Sequence, residues 1–126
     1  MNTKRPVNLN LMTIKFPSTA IISILHRISG VFLFLLLPCI LLALQYSLLS
    51  PQGFAKVQHV FQNPISKLVI WLLLTSLAMH FFAGIRHLLM DLGWGDKNMK
   101  QGKATAWLTM TITFILFVLI GVWLWA

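Results

Sequence analysis

Charge is missing from three long stretches of this chain. Twenty-eight uncharged positions separate Arg27 from Lys56, 18 separate Lys67 from Arg86, and 23 follow Lys103. A helix needs about 20 consecutive apolar residues to cross a bilayer. Three such runs in 126 residues predict an all-α membrane protein with three transmembrane helices in one small domain. The spans are expected near residues 19–48, 65–90 and 104–125, behind an N-terminal arm at 1–18. Membrane strands would be short and alternating, and these runs are continuous. A soluble domain is about one-quarter charged, whereas this chain is 10% charged and 58% hydrophobic.

The net charge of +8 follows from topology and does not indicate nucleic acid. Lys4, Arg5, Lys15 and Arg27 precede or open the first span. Lys56 and Lys67 occupy the first loop. Arg86, Lys97, Lys100 and Lys103 surround the second loop, and no basic residue follows. Positive residues favour the cytoplasmic side. The N-terminus and second loop are therefore expected in the cytoplasm, with the first loop and C-terminus across the membrane. Tyr46, Trp71, Trp94, Trp107, Trp123 and Trp125 fall near the expected interfaces, as in an aromatic belt. The first apolar run is too long for a typical cleaved signal and reads as a permanent signal-anchor. Cys39 is the lone cysteine. It is expected to be a small buried residue, and a single thiol excludes an intrachain disulfide or an iron–sulfur cluster held by this chain.

Pro6 and Pro17 argue against a continuous helix in the arm, whose interspersed apolar residues suit the membrane surface or a soluble partner. Pro38 predicts a kink in the first span. The loop from Ser50 to Ser66 is long enough for a short interfacial helix. Gly93 and Gly95 are expected to end the second span. The third span carries no ionisable residue and reads as a packing and lipid-facing helix.

His80 lies inside the second uncharged run. An ionisable side chain at that depth is costly and points to function. His80, Gly84 and His87 are spaced i, i+4, i+7 and share a helix face. The two histidines are separated by about 10 Å along the axis. A buried imidazole, a gap at Gly84 and basic groups nearer the interface suit a b-type haem, with iron on His80. A structural hydrogen bond and proton transfer remain open from spacing alone.

On the first span, Ser23, Arg27 and Gly30 repeat the same spacing. A hydroxyl and a guanidinium can donate to a quinone carbonyl, which gains negative charge on reduction. Arg27 also suits a headgroup anchor. His26 is expected at the depth of His87, above His80. It suits a haem propionate better than the opposite axial position. His59 lies at the wrong level. A six-coordinate haem would then take its second histidine from another chain, making these spans part of a heteromeric helix bundle.

Three strings together carry a resemblance: Arg5-Pro6-Val7-Asn8-Leu9, Ser23-Ile24-Leu25-His26-Arg27-Ile28-Ser29-Gly30, and His80-Phe-Phe-Ala-Gly84-Ile-Arg86-His87-Leu-Leu-Met-Asp91. They resemble the cytochrome b membrane-anchor subunits of bacterial succinate dehydrogenase, respiratory complex II, over nearly the whole chain. The resemblance implies that His80 is an axial ligand of haem b, with His26, Arg27 and His87 near its propionates and Gly84 on the haem face. It implies ubiquinone binding at Ser23 and Arg27, with Ile24 nearby. A small membrane-anchor subunit would supply the second haem ligand. An iron–sulfur subunit and a flavoprotein would complete the complex at the cytoplasmic face of the inner membrane. This chain would be no enzyme alone. It would serve electron transport from the tricarboxylic acid cycle. A fumarate reductase anchor, or a haem-free structural or transport protein, is the alternative. Pro38 and Met79 depart from the family pattern and bear on local helix shape.

Overall fold

The computed structural model describes residue 10 and residues 12–126. The remainder of the N-terminal arm, with Arg5-Pro6-Val7-Asn8-Leu9, lies outside the described residues. Four helices follow in order: α1 (Ser18–Leu49), α2 (Pro51–Gln62), α3 (Pro64–Asp91) and α4 (Met99–Trp125). No strand occurs among the described residues. α1, α3 and α4 are each long and apolar enough to cross a membrane. α2 is a 12-residue helix within the first loop.

Local chemistry sets the boundaries. Ser50 caps α2 by accepting from the Gly53 amide, and Asn63 caps α3 by accepting from the Ile65 amide. Pro51 and Pro64 follow these caps, where a missing N–H costs the helix nothing. α3 ends through two reciprocal bonds. The Trp94 amide donates to the Leu89 carbonyl at 2.8 Å and the Gly93 amide to Met90 at 2.9 Å. Gly93 takes φ +80°, the left-handed conformation that this helix stop requires. Asn98 opens α4 by accepting from the Gln101 amide. α4 therefore starts five residues before Ala104, where the uncharged run begins, and carries Lys100 and Lys103 in its first turns. A good cap extends a helix beyond its apolar stretch, because hydrogen bonding sets helix ends.

α3 is central, packing along both α1 and α4. The buried apolar core is small: Ile22, Met79, Ala83 and Ala106. On α4, Gly102, Ala106 and Thr109 are also buried. Small residues at this spacing let membrane helices approach closely where no hydrophobic driving force exists between them. Trp71 does not simply face the interface. Its indole donates to the Phe117 carbonyl of α4 at 2.8 Å and stacks on the Phe117 ring at 4.3 Å. That bond ties α3 to α4 at the end opposite Gly102.

The accessible surface is 10041 Å². A compact monomer of 14.3 kDa would expose about 6,800 Å². Most of the apolar side chains remain exposed along α1, α3 and α4, as lipid or partner helices require, and Cys39, expected to be buried, is exposed with them.

Candidate functional site: a row of imidazoles at the α1–α3 seam

The face of α1 that meets α3 carries Ile22, His26 and Ser29, one turn apart. Ile22 and Ser29 are buried, at 2% and 4% exposure. The edge beside this face carries Ser23, Arg27 and Gly30. The opposite edge carries Leu25, Ile28 and Phe32, which line an apolar cleft of about 350 Å³ shared with α3. Of the α1 row, Gly30 adjoins His80 of the α3 row.

Three imidazoles line up there. The His26 ring stacks on His80, with centroids 4.3 Å apart and planes 22° apart. It stacks more loosely on His87, at 6.3 Å. Depth reasoning puts His26 level with His87. Its ring instead lies between the other two and nearer His80, because an imidazole reaches along the seam from its backbone position. Two rings stacked in this way would not both ligate one metal ion.

Two glycines shape the row. A Cβ at Gly30 would lie 3.0 Å from His80 Cε1, so the absent side chain admits the ring. A Cβ at Gly84 would lie 3.5 Å from His26 Nε2. The space beside Gly84 thus adjoins the His26 imidazole.

His80 is seated against α1 through one ring nitrogen. Its Nδ1 lies 3.2 Å from the His26 carbonyl oxygen and 3.2 Å from Ser29 Oγ. The Ser29 hydroxyl donates to that same carbonyl at 2.7 Å, so toward His80 it accepts. A carbonyl can only accept. Nδ1 therefore carries the hydrogen, and Nε2 keeps its lone pair. No described residue hydrogen-bonds to Nε2. A neutral imidazole held in this way is the form that binds a metal. Among the described residues, no group of three or more His, Cys, Asp or Glu is placed to hold a bare metal ion.

Arg27 is exposed, and Ser23 is half-buried. Neither makes a side-chain hydrogen bond to a described residue. Ile24 lies beside them with 42% of its surface exposed. These three residues form one patch at the edge of the imidazole row. His87 is exposed at the other end. Arg86, its neighbour in sequence, turns away. It is only 8% exposed, and its guanidinium donates to Thr105 Oγ1 at 3.1 Å and to the Gly102 carbonyl at 3.2 Å. Arg86 is a strut to α4 and does not join the row.

The family described as the transmembrane subunit of succinate dehydrogenase and fumarate reductase matches residues 1–120. The chain belongs to that family. A succinate dehydrogenase cytochrome b556 subunit of Coxiella burnetii is 44% identical across 99% of this chain and its own full length. A cytochrome b560 subunit from Reclinomonas americana is 32% identical, covering 96% of this chain and 86% of its own. A cytochrome b556 subunit from Paracoccus denitrificans is 32% identical over 80% and 78%. The membrane-subunit assignment thus agrees with the three apolar helices. Within this family of anchors, sequence reasoning singled out His80, Gly84 and His87 by spacing and Ser23 and Arg27 by chemistry. Sequence reasoning gives Ser29 no part. The signal was present: Ser29 is three residues beyond His26, on the same helix face.

Proposed function

We propose that this chain is the large anchor of a succinate:ubiquinone oxidoreductase of the bacterial inner membrane. In this reading it shares one haem b with a small anchor subunit and contributes part of the quinone site. Its N-terminus and second loop face the cytoplasm, where an iron–sulfur subunit and a flavoprotein dock. Succinate is oxidised in the flavoprotein, outside this chain. The names of the relatives favour succinate oxidation over the fumarate-reducing alternative.

The observation that supports the reading best is the seating of His80: its Nδ1 lies 3.2 Å from both Ser29 Oγ and the His26 carbonyl oxygen, beside the gap at Gly30. His80 is the proposed axial ligand. His26, Arg27 and His87 would receive the propionates, with Gly84 beside them. Haem, when bound, supplies a one-electron redox centre within the membrane.

The chain's own residues perform the remaining tasks. Arg27 and Ser23 offer N–H and O–H donors that described residues do not use. A quinone carbonyl accepts from both, and the bonds strengthen as reduction builds negative charge on its oxygen. Arg27 supplies the stronger, charge-assisted bond. Ile24 gives the apolar contact that a quinone ring or tail requires.

The test uses the purified complex with all partners. Arg27→Leu should lower ubiquinone reductase activity about 100-fold, in the range found for loss of one charge-stabilising donor. Ser23→Ala should lower it about tenfold, as a neutral hydrogen bond is worth roughly 1 kcal/mol or slightly more. Succinate oxidation by an artificial dye should be spared in both. Equal loss of the two activities in an intact complex would overturn the quinone assignment.

A further inference from the structure

We infer that Ser29 is a positioning residue for the metal-binding nitrogen of His80, acting with the main-chain carbonyl of His26. This inference rests on the proposal that His80 ligates haem, and it assigns the control of that ligand to α1. The ring of His80 belongs to α3, yet everything that orients it belongs to one turn of α1. The Ser29 hydroxyl spends its proton on the His26 carbonyl at 2.7 Å. Its lone pair then faces His80 Nδ1 at 3.2 Å, beside the carbonyl oxygen at the same distance. Gly30, the next residue, leaves the 3.0 Å approach open to Cε1.

These contacts have two consequences. A flipped ring would lose both Nδ1 contacts, so the ring is held in one orientation. The acceptors also draw on the Nδ1–H bond, and an outer partner of this kind on a ligating histidine would favour the oxidised, more positive iron. Ser29 is 4% exposed, so water cannot readily replace its hydroxyl. Loss of such an outer partner typically weakens metal binding by about 10- to 100-fold. Here the His26 carbonyl remains, so the low end applies. If tenfold of that weakening falls on the oxidised state alone, the midpoint potential rises by about 59 mV.

The experiment compares Ser29→Ala, Ser29→Thr and Thr109→Ala in the complete complex. Thr109 is a buried α4 residue whose hydroxyl donates to the Thr105 carbonyl, away from the imidazole row. The readouts are haem content by pyridine haemochrome, haem potential by redox titration, and the iron–imidazole stretch by resonance Raman. Ser29→Ala should raise the potential and lower the stretching frequency. Thr restores the hydroxyl and should return both toward the parent, and Thr109→Ala should move neither. Unchanged potential and stretch in Ser29→Ala, with haem bound and lost on His80→Leu, would overturn the role of Ser29. Equal shifts in Thr109→Ala would overturn it as well, by making the effect one of packing. Absence of haem from the parent complex, or its normal low-spin retention in His80→Leu, would instead overturn the underlying ligand assignment.

Discussion

α3 makes two seams, and they are built from opposite materials. Toward α4 it presents Met79, Ala83 and Arg86 against Gly102, Ala106 and Thr109, all buried. Polar groups there are closed off. Arg86 is bound to Thr105 and Gly102, Thr109 to its own helix, and Thr113 to the Met79 sulfur. Toward α1 the seam carries His26 and His80 face to face, with His87 beyond and Arg27 exposed at the edge. There the donors and the Nε2 lone pair are left available. One seam completes itself within the chain. The other, in the function proposed, is completed by haem and a partner subunit. A membrane helix can carry both because its faces are separate, and a polar group is tolerated wherever its partner is supplied.

The contrast can be broken from either side. The largest effect is expected at the open seam. His80→Leu should remove almost all protohaem from the purified complex, measured by pyridine haemochrome, while the subunits still co-purify. Next, the chain produced without partners should give no low-spin bis-histidine Soret spectrum, since the stacked His26 cannot supply the opposite ligand. A normal low-spin spectrum from the isolated monomer would end that reading.

At the closed seam the expected effects fall on stability. Ala106→Leu adds volume at a position that is 0% exposed and should cost about 1–3 kcal/mol. It should appear as earlier thermal dissociation of the complex, with activity per assembled complex little changed. Trp71→Phe keeps an aromatic ring but deletes the bond to the Phe117 carbonyl, at a cost of about 1 kcal/mol. A variant at the closed seam that altered the haem spectrum without altering stability would merge the two seams into one functional unit.

Much of this was legible in the residues. Uncharged runs marked α1, α3 and α4, and Gly93 marked the end of α3. The i, i+4, i+7 spacing put Ser23 with Arg27 and His80 with Gly84 and His87. Other features were not legible. Arg86 follows Ile85 and precedes His87, so sequence alone groups it with the histidine. One residue is a rotation of about 100° on a helix, and that rotation delivers Arg86 to α4. Trp71 read as an interface aromatic, because spacing cannot reveal a carbonyl on another helix.

By itself the sequence determined that three helices cross a bilayer, since apolar length is a local property of the chain. It also determined which chemical groups share each helix face, because the 3.6-residue repeat follows from composition and order. Only the tertiary structure decided which faces meet. It set His26 against His80, directed the Ser29 hydroxyl and the His26 carbonyl onto Nδ1, and left Nε2 open. Those relations depend on packing between residues more than 50 positions apart, which local periodicity does not encode.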